Sequence, residues 1–405
     1  MSVFLGLAAA VIGFAEPAPL RIDIDFPGGS AVAESIDQTN RVITIQPTAH
    51  KDRGWVCWWS FKLAGLQQGE TFTLRVTGDG FSRPERAVFS IDDGKTWTQT
   101  PAGSTEKTTI TYKIVAPAAK MWLAWGPPYQ LADAKAAVEK VVAANIGATA
   151  FELCKSRDGR SVPALKWDPA AKNGAKRTGL WIAARQHAWE SGGSWVCQGV
   201  LDFLASDEVE AKSLRDSARI VVVPIMDVDN VERGAGGKRA KPQDHNRDWS
   251  DAPHWPEVAA AQKGIKEMDR AGELDLFLDL HNPAPNDKVP FFFAPPDVIL
   301  PPARQASQER FLKNASAFLG REKLKVSEKT RTSGPNYDPD WKRISGNWVA
   351  ANCAERVISL CLETSWNTPN STVDGYRAYG KALGRAIAAT VPRQNSEPDK
   401  IGRAH

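Results

Sequence analysis

The first part of the chain alternates hydrophobic and polar positions in short runs that turn residues separate. Such runs occur at residues 20–25, 42–45, 72–76 and 108–112, with glycine, proline and aspartate clusters between them. Alternation with a period of two places one side of a strand in a core and the other side in solvent. The pattern predicts an antiparallel β-sandwich domain over residues 16–125.

Two local features of this part predict structure rather than chemistry. The segment from Ser90 to Trp97 fits the pattern SxDxGxTW, which resembles the Asp box of sialidases and predicts a hairpin turn held by side-chain hydrogen bonds. A single copy does not predict a sialidase. Trp55, Trp58 and Trp59 are predicted to be core or domain-interface residues, because tryptophan buries a large apolar area.

The pattern changes after Gly126, where helical periodicity alternates with compact apolar runs. Residues 131–143, 258–271 and 374–389 have the period of amphipathic helices. Interleaved helices and short buried strands predict an α/β domain with a mixed sheet over residues 126–392. The four runs interpreted as buried strands are 180–184, 220–225, 274–280 and 357–362.

Composition and charge narrow the class of protein. The chain has 405 residues, 42% apolar and 24% charged, which favours two globular domains over disorder. Its formal net charge of only +4 does not predict nucleic-acid binding. The five cysteines are odd in number and have no CxxC spacing, so they are predicted to be buried thiols.

The two ends of the chain differ from the rest. Residues 1–15 are uncharged and mostly apolar, and Glu16 and Pro17 follow them, which predicts a signal peptide and a secreted or periplasmic protein. A cytoplasmic location follows if this segment is not a signal. No later stretch approaches the roughly 20 apolar residues that span a bilayer, so no stable membrane insertion is expected after signal removal. Residues 393–405 are predicted to be a flexible tail.

Candidate chemical groups follow each of the four predicted buried strands. His187 and Glu190 follow the first strand, Asn246 and Arg247 the second, His281 the third, and Glu363 the fourth. Open α/β sheets bind their ligands outside the carboxyl ends of the strands. We therefore expect four separate segments to meet at one edge of the sheet.

Three of these side chains could hold a metal ion. His187, Glu190 and His281 offer two imidazole nitrogens and one carboxylate oxygen, which leaves the fourth position of a tetrahedral zinc site open for catalysis. Glu363 could then accept a proton from water. Taken singly, HxxE is a weak signal, and Glu363 alone would be interpreted as a strand-end carboxylate in an ordinary salt bridge.

Four motifs occur in the order and spacing of one known family. They are HAWE at 187–190, DHNRDW at 244–249, LDLHN at 278–282 and LETS at 362–365. Together they resemble the funnelin zinc carboxypeptidases, especially the cytosolic-carboxypeptidase branch that carries an N-terminal β-sandwich. Residues 122–129 are similar to the segment that joins the two domains in that branch.

The resemblance implies a metal centre. It implies one Zn²⁺ per chain, with His187, Glu190 and His281 as ligands and Glu363 as the catalytic base and proton shuttle. Asp244 matches the carboxylate that orients the first zinc histidine through its other ring nitrogen.

The resemblance also implies a substrate site. Asn246 and Arg247 match the pair that grips the terminal carboxylate of the substrate. Arg239 is assigned as the arginine that polarises the scissile carbonyl, with Arg233 as the alternative. The family's mobile tyrosine has no clear counterpart, since its position falls near Lys342 and the nearest tyrosine is Tyr337.

The predicted function is hydrolysis of the C-terminal peptide bond of peptides or proteins, whose C-termini are the expected partners. One alternative is a zinc amidohydrolase or deacylase of the desuccinylase type, which shares HxxE and a later histidine. Another is a non-catalytic protein that binds cell walls or glycans. The Asn246 and Arg247 pair favours the carboxypeptidase, and a complete set of ligands, base and clamp argues against an inactive protein.

Overall fold

A computed structural model describes residues 18–144, 146–171 and 176–391. The predicted signal peptide and the predicted tail lie outside these residues. The helices are α1 (Leu131–Ala143), α2 (Ser191–Leu204), α3 (Val209–Ser217), α4 (Val228–Arg233), α5 (Pro256–Arg270), α6 (Pro302–Arg321), α7 (Ser345–Asn352) and α8 (Val373–Thr390). Short 3-10 helices are formed by Asp297–Ile299, His245–Arg247 and Trp341–Arg343.

The strands divide between the two parts that the sequence predicts. Those of the first part are β1 (Arg21–Asp23), β2 (Val32–Asp37), β3 (Val42–Gln46), β4 (Ser60–Ala64), β5 (Thr71–Thr77), β6 (Val88–Ser90), β7 (Thr98–Gln99), β8 (Ser104–Glu106), β9 (Thr109–Val115) and β10 (Lys120–Ala124). Those of the second part are β11 (Ala148–Lys155), β12 (Ser161–Trp167), β13 (Thr178–Ala184), β14 (Ala218–Val223), β15 (Leu274–His281), β16 (Phe291–Ala294), β17 (Arg331–Thr332) and β18 (Ile358–Glu363).

The first ten strands form two five-stranded sheets, in the orders β1-β4-β10-β6-β7 and β2-β3-β5-β9-β8. Neighbouring strands are antiparallel, as predicted, except that β3 and β5 run parallel. The alternation along β5 buries Phe72, Leu74 and Val76, and these residues share one hydrophobic cluster with Phe61 and Leu63 of β4 in the other sheet. The buried faces of both sheets therefore contribute to a common core.

The turn predicted at residues 90–97 has the expected bonds. The Asp92 carboxylate accepts hydrogen bonds from the Thr96 backbone N–H at 2.9 Å and from the Thr96 hydroxyl at 2.7 Å. The Ser90 hydroxyl donates to Asp92 at 2.7 Å and accepts from the Gly94 N–H at 3.0 Å. The hydrogen bonds from Thr96 and Ser90 lower the pKa of Asp92 to about 2. The turn joins β6 to β7.

The second part contains one eight-stranded mixed sheet, in the order β11-β12-β14-β13-β15-β18-β16-β17. Its central strands β14, β13, β15 and β18 are parallel, and β12 and β16 pair antiparallel with the outer two of them. Every residue of β13, β15 and β18 is buried except Asp275, which is half-buried. The predicted α/β fold with a mixed sheet is confirmed, as are the mainly antiparallel sheets that precede it.

Helices cover both faces of this sheet. On β13, Leu180 and Ile182 contribute to a cluster with α2, α6 and α8, whereas Trp181 and Ala183 contribute to a cluster with α5 and α7. Helices α2 and α8 lie in close contact at Gly380, where a Cβ atom would lie 2.0 Å from the Val196 carbonyl oxygen. No helix of the described chain is long and apolar enough to cross a membrane.

Candidate active site

The carboxyl ends of three parallel strands bring the candidate groups together. His281 is the last residue of β15 and Glu363 is the last residue of β18, and the two are direct partners in the strand register. His187 lies three residues after the end of β13, which pairs with β15 on its other side. The convergence that the sequence predicts at one sheet edge is found for these side chains.

A tight turn carries His187 and Glu190 into the first turn of α2. The Glu190 N–H donates to the His187 carbonyl at 3.1 Å, and Glu190 is the N-cap residue of the helix. The helix can begin here because Gly193 approaches β15 closely: a Cβ atom on it would lie 2.6 Å from the Leu280 carbonyl oxygen. The short spacing of HxxE thus places both side chains on one side of the turn.

His187, Glu190 and His281 form a buried cluster of possible metal ligands. One ligand atom from each residue lies within 4.8 Å of the others. The two Glu190 carboxylate oxygens lie 2.8 Å from His187 Nδ1 and 2.6 Å from His281 Nδ1. All three residues are at most 2% exposed. Both Nδ1 atoms and the carboxylate therefore face a common point.

A carboxylate holds the second nitrogen of each histidine. Asp244 Oδ1 lies 3.0 Å from His187 Nε2, and Asp279 Oδ2 lies 3.0 Å from His281 Nε2. An Nε2–H that donates to a carboxylate leaves Nδ1 unprotonated and available to a metal ion. The position of Asp244 agrees with the role implied by the motif DHNRDW.

Asp279 was not among the residues singled out from the sequence. It is fully buried, and its Oδ2 also accepts hydrogen bonds from the Ser345 hydroxyl at 2.6 Å and from Gln186. The available signal was a carboxylate two residues before His281 in a buried strand, since residues two apart on a strand face the same side. An ionisable residue in such a strand requires a partner.

The charges around the trio suit a cation. Burial raises the pKa of Glu190, but His187 and His281 lower it by more, so the pKa lies well below its usual range. Burial lowers the pKa of His281, whereas Asp279 and Glu190 raise it, and the net pKa lies well above its ordinary value. A site that attracts a proton this strongly also attracts a metal ion in its place.

The donor set fits Zn²⁺. Two imidazole nitrogens and one carboxylate occur in catalytic zinc sites, which keep a further position open. The two outer carboxylates supply the hydrogen bonds that such histidine ligands require. His187, Glu190 and His281 would therefore hold the ion, and the ion would polarise a carbonyl group and lower the pKa of a water molecule.

Glu363 lies beside this centre, and one of its two carboxylate oxygens has no hydrogen-bond partner among the described residues. Its Oε2 is buried and makes no hydrogen bond to the described part of the chain. Burial raises the pKa of Glu363 to about 7, with an opposing contribution from His281. A carboxylate with a pKa near neutrality is suited to accept and return a proton.

One cavity is lined both by two residues of the trio, His187 and His281, and by the predicted substrate-binding residues. Arg247 lines it, and its guanidinium donates to the Asp338 carboxylate at 2.9 Å and to the Asn246 carbonyl at 2.8 Å. The residues that line this cavity are His187, Lys238, Asn246, Arg247, His281, Phe293, Pro295, Ser333, Tyr337, Ile344, Gly346, Ser359, Leu360, Cys361 and Glu363.

The two candidate arginines for carbonyl polarisation lie outside this cavity. Arg239 is exposed, its guanidinium lies 5.8 Å from the Trp55 ring, and only its backbone N–H reaches the centre, donating to Asp244 at 2.7 Å. Arg233 is exposed and forms an ion pair with Asp158. The assignment of Arg239, or of Arg233, to the scissile carbonyl therefore stays a prediction, and Lys238 is the cation of this loop that lines the cavity.

Tyr337, for which the sequence left the role open, also lines the cavity. Its ring lies 4.7 Å from the Phe293 ring and 5.8 Å from the Arg247 guanidinium, and the residue is 44% exposed. Lys342 does not line the cavity. The tyrosine nearest in sequence to the expected position is thus the one beside the predicted carboxylate clamp.

The first part of the chain supports the active-site loops. Trp125 contacts Trp189, which lies between His187 and Glu190, with ring centroids 5.3 Å apart. It also contacts Trp366, three residues after Glu363, at 4.7 Å. Trp55, one of the three tryptophans predicted to lie in a core or an interface, also lies near this group, with its ring 6.3 Å from that of Trp189.

A His-Glu-His cluster beside a buried carboxylate, at the strand ends of a mixed sheet, is an arrangement typical of zinc-dependent hydrolases. Residues 139–280 match the model of the Peptidase_M14 family, described as zinc carboxypeptidase. The resemblance inferred from the motifs is confirmed. The match includes His187, Glu190 and Arg247 but ends one residue before His281.

Individual relatives agree with this family. Cytosolic carboxypeptidase 2 of Xenopus tropicalis is 30% identical over 142 residues, which is 34% of this chain but only 15% of that protein. An uncharacterized protein of Zymomonas mobilis is 25% identical over 68% of this chain and 70% of its own length. A metallo-carboxypeptidase structure from Burkholderia cenocepacia has the same fold, with a TM-score of 0.76 at 23% identity over 92% of this chain and 98% of that one.

Proposed function

We propose that this protein is a zinc metallocarboxypeptidase that hydrolyses the C-terminal peptide bond of peptides or proteins. The observation that carries the proposal is that the His187, Glu190 and His281 trio, Glu363 and Arg247 meet in and around one cavity. A metal centre and a base account for hydrolysis. A guanidinium beside them accounts for selection of a chain end.

In the proposed mechanism Glu363 is the general base. Its carboxylate accepts a proton from the attacking water and returns that proton to the amine nitrogen as the peptide bond breaks. A bound Zn²⁺ supplies polarisation of the scissile carbonyl and of the water. Asp244 and Asp279 keep the two histidines in the orientation that presents Nδ1 to the ion.

Arg247 and Asn246 are proposed to bind the terminal carboxylate of the substrate. The guanidinium of Arg247 already pairs with the Asp338 carboxylate, and its buried Nε has no partner among the described residues. A planar guanidinium can make two parallel hydrogen bonds to a carboxylate. This feature favours a carboxypeptidase over the amidohydrolase alternative, and the complete metal site disfavours a purely glycan-binding protein.

The proposal is tested with two peptides that differ only at the C-terminus, one a free acid and one an amide. The wild type should cleave the free acid far faster, because the amide leaves the buried donors poorly paired. Each charge-assisted bond contributes roughly 1.5 to 3 kcal/mol, so Arg247→Ala should lower kcat/KM on the free acid by about tenfold to a hundredfold.

Arg310→Ala, on an exposed position of α6, is the control for loss of an arginine and should leave kcat/KM unchanged. Zinc content should be the same in all three proteins. Equal cleavage of the acid and the amide by the wild type would contradict the carboxypeptidase proposal and favour the amidohydrolase alternative.

We also propose export and a two-domain organisation, with residues 16–125 as a β-sandwich domain and 126–392 as the catalytic domain. The support is the apolar segment before Glu16 and the separate strand patterns of the two parts. Sequencing of the mature N-terminus tests export. Recovery of the intact first residue from the cytosol would contradict it without affecting the catalytic proposal.

A further inference from the structure

We infer that Lys238, rather than an arginine, is the catalytic cation that stabilises the negative charge on the scissile carbonyl oxygen. The inference rests on the proposed function and assigns a residue to a task that the sequence motifs give to Arg239. Lys238 lines the cavity together with His187, His281 and Glu363. Of the charged side chains between residues 233 and 241, Lys238 is the one that lines this cavity.

The backbone of this loop directs the Lys238 side chain into the cavity. Gly237 has a φ of +79°, and a Cβ atom on it would lie 2.6 Å from the Ala188 nitrogen, so the loop passes directly over the HAWE turn. The Lys238 carbonyl accepts the Trp55 N–H at 2.9 Å, and the Gly237 N–H donates to the Arg53 carbonyl at 2.9 Å. The first part of the chain thus holds both peptide groups.

Arg239 is directed away from the cavity by its own backbone. Its φ is +59°, in the left-handed region, and its N–H is committed to the Asp244 carboxylate at 2.7 Å. The next residues, 240 and 241, return to the first part of the chain, where the residue 241 N–H donates to the Asp52 carbonyl at 2.8 Å. If the side chains of Lys238 and Arg239 exchanged directions, the backbone would have to rotate and these backbone hydrogen bonds would be lost.

The Lys238 ammonium is available to a ligand. The Trp55 ring lies 5.6 Å from Nζ, and no hydrogen bond or ion pair joins the ammonium to the described part of the chain. Burial lowers the pKa of this ammonium, but Tyr337, Glu190 and Asp244 raise it by more, so the pKa lies above its ordinary value. These two carboxylates are already engaged with the histidines, which leaves the hydrogen atoms of the charged ammonium free.

Peptide hydrolysis requires a hydrogen-bond donor beside the carbonyl oxygen of the scissile bond. As water attacks the carbonyl carbon, a C–O bond forms, the π electron pair moves to the carbonyl oxygen, and Glu363 takes the proton of the water. When the pair returns, the C–N bond breaks and the amine leaves with that proton. A preorganised cation beside this oxygen stabilises the negatively charged tetrahedral species more than it stabilises the neutral substrate.

The kinetic test compares four variants on a free-acid peptide. Lys238→Met should lower kcat by about a hundredfold to a thousandfold with a much smaller change in KM. Lys238→Arg should recover at least about tenfold of that loss, because it keeps a charged donor. Arg239→Ala should lose far less than Lys238→Met, and Lys241→Ala, an exposed residue of the same loop, should match the wild type.

Binding supplies a readout that does not depend on turnover. A phosphonate peptide analogue carries a tetrahedral anionic group, whereas an N-acetyl amino acid carries only the terminal carboxylate. In calorimetry with zinc-loaded protein, Lys238→Met should weaken the phosphonate by about a hundredfold and the N-acetyl amino acid by less than about threefold.

Three results would overturn the inference. Equal weakening of both ligands would make Lys238 part of the carboxylate clamp, and an active Lys238→Met enzyme with normal kcat would remove it from catalysis. A larger loss in Arg239→Ala than in Lys238→Met would return the role to the arginine. A wild type that releases no amino acid from free-acid peptides would instead contradict the proposed function itself.

Discussion

At the residue scale, the site depends on carboxylates that solvent scarcely reaches. Glu363 is 8% exposed, and its neighbour Cys361 lies 3.9 Å away through Sγ. Glu363→Gln should keep zinc and the fold but lower kcat by several orders of magnitude, because an amide cannot accept the proton of the water. Turnover and zinc content should be measured on the same sample. Loss of zinc would instead indicate that Glu363 is a ligand.

Asp279 provides a second residue-scale prediction, because it acts on the metal only through His281. Asp279→Asn should weaken zinc binding by about tenfold to a hundredfold, since an amide oxygen holds the Nε2–H less strongly. A competition titration against a chelator measures this. Asp275→Asn, at the opposite end of the same strand, is the matched control and should bind zinc as the wild type does. Unchanged affinity in Asp279→Asn would exclude the orienting role.

At the element scale, a buried histidine joins three short elements near the site. His245 begins the 3-10 helix that carries Arg247, and its ring nitrogens lie 3.7 Å from the carboxylate of Asp227, the N-cap of α4, and 3.9 Å from that of Glu257, in the first turn of α5. Burial lowers the pKa of His245, but Asp227 and Glu257 raise it by more, to about 9.

Burial also raises the pKa of Asp227, so the proton is shared within this cluster, and we assign it mainly to the imidazole because two carboxylates face it. The folded pKa of His245 exceeds the unfolded value near 6.5. Its contribution to the free energy of unfolding is therefore complete below about pH 6.5 and is lost as pH rises through about 9.

We expect a loss of about 1 to 3 kcal/mol between pH 6.5 and pH 9.5, reduced from the full linkage value because the proton is shared. His245→Gln should flatten this part of the profile, and His254→Gln, a less buried neighbour, should keep it. Chemical unfolding as a function of pH measures all three proteins. Parallel profiles for the wild type and His245→Gln would contradict the assignment.

At the scale of the whole molecule, the sheets of the first part and the metal-binding loops form one packed unit. Trp125 is 1% exposed, donates to the Phe81 carbonyl at 2.8 Å, and contacts both Trp189 and Trp366. The first part also supplies backbone partners for residues 237, 238 and 241. Stability and metal binding are therefore expected to depend on each other.

Trp125→Ala should lower the free energy of unfolding by about 3 to 5 kcal/mol, which is the usual cost of this truncation in a core. It should also weaken zinc binding, because Trp189 lies between two ligands. Trp97→Ala, a half-buried residue in the turn between β6 and β7, should lower the free energy of unfolding by less and leave zinc affinity unchanged. Both variants are tested by calorimetric unfolding, which measures stability, and by zinc titration, which measures affinity. A destabilised Trp125→Ala with unchanged zinc affinity would show that the two parts act independently.

Much of the fold follows from local pattern. The helix predicted at 131–143 has those bounds, because a period of 3.6 marks the buried face of a helix. The run predicted at 357–362 lies one residue from β18 (Ile358–Glu363), because a continuous apolar run indicates a strand that is buried on both faces. The order of the motifs was also sufficient to select His187, Glu190 and His281. Strand direction was less accessible: the parallel pairing of β3 with β5 depends on the connections between strands, which alternation does not encode.

What only the tertiary structure decided was which polar side chains face one another. The sequence by itself predicted the candidate ligands, the candidate base and the candidate carboxylate clamp, since those predictions depend on which residue types follow the strands. It did not single out Lys238, because which side chain of this loop lines the cavity depends on positive φ angles and on hydrogen bonds to residues 52–55, far away in the chain. For the same reason the sequence did not single out Asp279, although the fold brings it into contact with His281, Ser345 and Gln186.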